Sequence, residues 1–113
     1  MRAHIKGKVY DTDRAVLLGS WENGYPSGDS RSCQEWLYRT TYGGNYFLHI
    51  MGGLDSPAAG KRERKAQYPN LITKIKPLTE DIARRWVRQH MKEKPLYESF
   101  ATQPSDLSRY WKI

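Results

Sequence analysis

The chain has 113 residues, enough for one domain with one modest core. It is 38% hydrophobic, 12% aromatic and 27% charged, with a net charge of +7, and no apolar run approaches the ~18 residues of a membrane-spanning helix. One cysteine, Cys33, excludes an internal disulfide scaffold, and MRAHIKGKVY lacks the apolar stretch of a signal peptide, so a soluble, cytoplasmic protein is expected.

Residues 1–8 read as a short basic arm leading to a strand at Lys8-Val9-Tyr10. Asp11-Thr12-Asp13 breaks that strand, because short polar side chains bond to nearby backbone and favour turns. Arg14 to Trp21 supports a second strand; a helical turn over Thr12 to Leu18 competes, and β-branched Val16 with Gly19 favours the strand. Glu22 to Ser32, dense in Gly, Pro, Asn, Asp and Ser, is a loop.

The centre of the chain is a β-hairpin. Gln34 to Thr41 and Asn45 to Met51 form its arms, and Gly43-Gly44-Asn45 supplies residues that tolerate positive φ at the turn. Alternation places Tyr46, Leu48 and Ile50 towards the core, with Phe47, His49 and Met51 facing outward. The paired glycines Gly52-Gly53 end the outgoing strand. Gly52 to Asn70 is expected to be a long exposed loop carrying KRERK at 61–65. Leu71 to Lys76 returns as a further strand.

The clearest helix follows. Thr79 suits the N-cap, and Glu80 and Asp81 fall where the helix dipole favours anions. Ile82, Ala83, Trp86, Val87, His90 and Met91 recur at helical spacing as a buried face, with Arg84, Arg85, Arg88 and Gln89 opposite, and Pro95 should end the helix near Lys94. The expectation is an α+β fold: one domain over 1–94, an antiparallel sheet of about four or five strands packed by one amphipathic helix. Residues 95–113 form an extension rich in aromatics (Tyr97, Phe100, Tyr110, Trp111), which folds back or docks on a partner.

The charge is concentrated. Eleven Lys/Arg and four Asp/Glu lie between Lys61 and Lys94, so that segment carries the whole excess and the remainder is neutral. A localised basic segment suits an anionic partner. The candidate partner-binding residues are therefore Lys61, Arg62, Arg64 and Lys65 in the loop, Arg84, Arg85 and Arg88 on the helix, and Trp111 in the extension. The plain alternative is a solvated basic face.

Catalytic patterns are weak. His4, His49 and His90 have no neighbours at metal-ligand spacing, and one cysteine cannot build a structural zinc site. Asp11-x-Asp13 is better explained as a turn than as a cation site. Cys33 with His49 could be drawn as a nucleophile and base, but nothing in the local sequence supports the pair, and no phosphate-loop motif is present. No catalytic residue, metal or cofactor is assigned.

Val9-Tyr10-Asp11-Thr12, Leu37-Tyr38-Arg39-Thr40, Gly44-Asn45-Tyr46-Phe47-Leu48, Gly52-Gly53, Pro77-Leu78-Thr79-Glu80 and Ala83-Arg84-Arg85-Trp86 together form a pattern running from about Lys8 to Met91. It resembles small, largely uncharacterised proteins of bacterial phages, plasmids and related mobile elements. The resemblance implies a compact β-rich domain with one C-terminal helix, in a setting where small non-enzymatic proteins, anti-CRISPR proteins among them, block host defence. The basic run at 61–65 departs from what usually follows the Gly-Gly pair in that pattern.

The expected function is a non-enzymatic binding protein of a mobile element that occupies a site on a host protein or protein–nucleic acid complex such as a CRISPR effector. The alternatives are a basic nucleic-acid-binding accessory or regulatory protein, and a small enzyme with a site assembled across the fold. The basic charge argues against mimicry of DNA, which needs an acidic surface.

Overall fold

The computed structural model describes residues 1–91, so Pro95, the aromatic extension and Trp111 lie outside the described residues. The fold is α+β. Strands β1 (Arg2–Ile5) and β2 (Lys8–Asp11) pair as an antiparallel hairpin. A 3-10 turn over Thr12–Arg14 leads into β3 (Ala15–Glu22), followed by β4 (Cys33–Thr40), β5 (Tyr46–Gly53), the short helix α1 (Lys61–Ala66), β6 (Leu71–Leu78) and α2 (Glu80–His90). The last four strands form one antiparallel sheet in the order β3-β4-β5-β6.

The central hairpin forms as its sequence requires. Gly43 and Gly44 take φ of +77° and +60°. The Thr40 hydroxyl accepts from the Asn45 N–H at 2.9 Å and donates to the Tyr42 carbonyl, holding the turn from inside. Beyond it, Leu37 faces Leu48, and Tyr38 faces Phe47.

The sheet has two covered sides. On one, Leu18, Cys33, Leu37, Tyr46, Leu48, Ile50 and Ile72 meet Ala83, Trp86, Val87 and Met91, with Ala58 and Ala59 filling the corner before α1. A bulge between Leu17 and Gly19 bends β3. Gly19 is needed under the helix: a Cβ there would stand 3.2 Å from both Trp86 and Met91. Thr79 caps α2 by accepting from the Ile82 N–H at 3.3 Å.

The other side corrects the sequence reading. Phe47 was expected to face solvent and is fully buried. The β1–β2 hairpin covers it, with Tyr10 edge-on to Phe47 at 5.4 Å and Tyr38 stacked on it at 5.2 Å. The expected N-terminal arm is therefore a strand. Its turn, Lys6-Gly7, takes φ of 51° and 79°, the two positive values of a tight two-residue hairpin.

Further boundaries move for local reasons. The basic run at 61–65 is helical rather than a loop. Its residues are good helix formers, the Glu63 carboxylate accepts from the Gly60 N–H, and Gln67 closes the helix in the left-handed conformation at φ 56°. Strand β6 continues through Pro77, tolerated because β6 is an edge strand. Helix α2 is Glu80–His90, with Met91 leaving helical geometry and burying its side chain against the Gly19 gap; the expected end near Lys94 lies outside the described residues. Ile82, expected in the buried face of α2, is 42% exposed.

Candidate anion-binding surfaces

Helix α1 holds Lys61, Arg62, Arg64 and Lys65 exposed at one end of the sheet. Six residues form no stable helix alone, so the helix depends on its caps and on the buried turn before it. Ser56 fixes that turn: its hydroxyl donates to the Gly53 carbonyl at 2.8 Å and accepts from the Ala58 N–H at 3.1 Å. Arg64 reaches back to the Ser56 carbonyl at 3.4 Å. Glu63 is the one acid in the run. The Gly60 N–H holds its carboxyl below the usual carboxylate range, with Lys74 and Arg62 adding to the effect. Its charge is thus spent inside the corner, and the four cations face outward. Tyr68, 75% exposed, and Leu71, 55% exposed, flank them.

The register extends this basic surface. Lys74 and Lys76 pair with Ile50 and Leu48, so they lie on the side of β6 that faces α2. Sequence spacing alone did not bring these lysines to the same side of the sheet as the helix.

On helix α2, Arg84, Arg85 and Arg88 lie away from the buried Ala83, Trp86 and Val87, with Arg88 one turn along from both Arg84 and Arg85. Arg84 pairs with Asp81 at 2.7 Å, which anchors it along the helix. Arg85 and Arg88 are exposed.

Beneath α2 lies an aromatic cluster. The Trp86 indole donates to the Glu35 carboxylate at 2.7 Å. His90 lies between Trp21 and Trp86, at 4.5 and 5.0 Å between ring centroids. Burial pushes the His90 imidazole below its ordinary pKa, and the nearby Glu35 charge opposes this in part. The cluster joins α2 to β3 and β4 and is filled by its own rings.

The pair Cys33 and His49 is not brought together. Cys33 pairs with Gly52 on the α2 side of the sheet, and His49 points to the opposite side. Cys33 is 1% exposed, and burial raises its thiol pKa, the reverse of what a nucleophile needs. His49 stacks on Trp36 at 5.1 Å and meets the Thr73 hydroxyl at 3.1 Å. Asp11 acts as the turn former expected, its carboxylate accepting from the Asp13 N–H at 2.9 Å. Among the described residues, no three His, Cys, Asp or Glu side chains gather as a metal site, and no helix is long and apolar enough to cross a membrane.

One site escaped sequence reasoning. A cleft of about 480 Å³ opens between the β1–β2 hairpin and the β4–β5 turn. Arg2, Lys8, Val9, Asp11 and Arg14 line it from the N-terminal side. Thr40, Thr41, Tyr42, Gly43 and Asn45 line it from the turn. The Thr41 hydroxyl donates to the Arg14 carbonyl at 3.1 Å and the Lys8 ammonium to the Asn45 side-chain carbonyl at 3.4 Å, tying the two walls. The available signal was Lys6-Gly7 between two alternating runs, which would have made a hairpin of the arm; its placement against the central turn is set by tertiary packing.

No family model matches the chain, and no curated protein or solved structure matches it.

Proposed function

We propose that this chain is a non-enzymatic binding protein of a mobile element that inhibits a host defence protein–nucleic acid complex, in the manner of an anti-CRISPR protein, by covering an anionic site on it. The mobile-element setting rests on the sequence resemblance. The observation that carries the binding reading is the disposition of charge around the two helices. Lys61, Arg62, Arg64, Lys65, Arg85 and Arg88 are exposed, while two of the three neighbouring acids, Glu63 and Asp81, are engaged by the Gly60 N–H and by Arg84. Cations displayed in this way attract a polyanion or an acidic protein patch.

A second reading, a nucleic-acid-binding accessory protein, is favoured by Tyr68, whose exposed ring beside α1 is suited to stacking on a base.

The test is a CRISPR effector loaded with guide and assayed for target cleavage while the protein is titrated in. Inhibition should be lost by at least about tenfold when Lys61, Arg62, Lys65, Arg85 and Arg88 are together reversed to Glu, with circular dichroism unchanged. Equal inhibition by that variant would reject the basic surface as the contact. Under the accessory-protein reading, the protein alone retards DNA or RNA, the affinity falls steeply as salt rises, and the five-residue reversal weakens the retardation.

A further inference from the structure

We propose that the cleft between the β1–β2 hairpin and the β4–β5 turn is a binding site for single-stranded nucleic acid, with Arg2, Lys8 and Arg14 on phosphates and the Tyr42 ring under one base. This site is separate from the surface formed by α1 and α2.

Three observations converge on it. The first is charge. Arg2, Lys8 and Arg14 come from β1, β2 and the turn after β2, yet all three line one cleft. One carboxylate, Asp11, shares it, and that group already accepts from the Asp13 N–H. The lining therefore keeps an excess of positive charge without any partner being present.

The second is Tyr42. It is 91% exposed, the most exposed of the large hydrophobic side chains among the described residues. An aromatic ring contributes nothing to folding when it stands in water. The turn nonetheless fixes its position. Thr40 holds the Tyr42 carbonyl through its hydroxyl, and Thr41 ties the turn to the Arg14 carbonyl. A ring held out in this way by an ordered backbone is a stacking platform, and every base offers it a π-face.

The third is size and lining. A cleft of about 480 Å³ lies within the ~300–1,000 Å³ range of small-ligand sites. Val9, 46% exposed, gives it an apolar wall beside the cations. An acidic peptide would need the cations and have no use for the ring and the apolar wall. A nucleotide uses all three, since it couples a flat apolar base to an anionic backbone.

The experiment is fluorescence anisotropy of a 5′-labelled 12-mer of deoxythymidine, titrated with the intact protein at several salt concentrations. Tyr42→Ala should weaken binding by about tenfold and Tyr42→Phe by no more than about twofold, since stacking needs the ring and not the hydroxyl. Lys8→Ala with Arg14→Ala should reduce the slope of log affinity against log salt by about 1.4, two single-strand phosphate contacts. All three side chains are exposed, so these changes leave the core intact. The proposal is overturned if the wild-type protein fails to bind the 12-mer at low salt, if Tyr42→Ala binds as the wild type does, or if an oligo-glutamate peptide displaces the 12-mer at equal charge concentration. The variant reversed at Lys61, Arg62, Lys65, Arg85 and Arg88 separates this site from the inhibitory surface. A Tyr42 dependence that survives in that variant supports the cleft, whereas loss of inhibition with that dependence intact assigns the inhibition to the helices.

Discussion

Gly53 shows how much one missing side chain decides. Its position looked like the end of a strand, where glycine is unremarkable. In the fold it is the floor beneath the loop after β3: a Cβ on Gly53 would stand 2.2 Å from the Ser30 carbonyl oxygen and 2.6 Å from its Cα. These are backbone atoms, and they cannot swing aside as the tip of a side chain can. Gly53→Ala should therefore destabilise the protein by about 3 kcal/mol or more, the upper end for forcing atoms into packed space. Gly28 is a useful control. Its φ is +94° and its Cβ would meet nothing within 4 Å, so Gly28→Ala should cost about 1 kcal/mol, from backbone strain alone. Urea midpoints of the two variants test the ordering, and equal losses would reject the close-approach account.

The elements were legible where they are amphipathic on their own. The β4–β5 hairpin declares itself by two aromatic-rich arms around Gly43-Gly44, and α2 by a Thr79 cap and apolar residues at helical spacing. The sheet side chosen for Tyr46, Leu48 and Ile50 was correct for the same reason. What could not be read was whatever depended on a partner element. Phe47 is covered by Tyr10, 37 residues earlier, and nothing near Phe47 in sequence announces that. The α1 residues form a helix because Gly60, Glu63 and the Ser56 turn cap and seat them, which the loop reading of a charged run overlooked. The candidate cations were legible, but Lys74 and Lys76 were not among them, because the strand register decides that these two lie on the α2 side. Covering Phe47 makes the N-terminal hairpin integral to the core. Tyr10→Ala removes a ring that is 6% exposed and leaves the Phe47 edge uncovered, so it should lower stability by about 3–4 kcal/mol in a denaturant titration. A loss below about 1 kcal/mol would mean that the hairpin is merely laid on the sheet.

Across the whole molecule, the two sides of the sheet each enclose a histidine. Burial pushes both His49 and His90 below the ordinary value of 6.5. The unfolded chain therefore takes up protons at these positions first as pH falls. Their contribution to stability is complete above about pH 6.5 and is lost progressively as pH drops below it towards the folded-state values. A separate window lies lower. Asp29, bonded and paired to Arg31, has its carboxyl lowered from 3.8 to about 2, so its contribution is present above 3.8 and disappears between those values. Urea midpoints recorded against pH should stay level above neutrality, decline as pH falls below about 6.5, and decline again in strong acid. Replacing both histidines by Gln should flatten the first decline and leave the second. If the first decline persists in that double variant, groups other than the two imidazoles cause it.

The bulge in β3 has a consequence for how this chain tolerates editing. Val16 and Trp21 both look towards α2, although they are five positions apart and simple alternation would set them on opposite sides. Leu18 is the additional residue that reconciles them. The strand thus holds one residue more than its ladder needs. A deletion of one residue usually inverts everything on one side of it in a strand, but a deletion of Leu17 or Leu18 can be taken up by straightening the bulge, because it leaves Gly19 opposite Leu37 beneath the helix. Val16 and Trp21 would keep their partners Arg39 and Glu35, and the sheet would lose a bend rather than its register. This edge strand can therefore lose one residue at its middle without inverting its faces, where strands ordinarily accept such a change least.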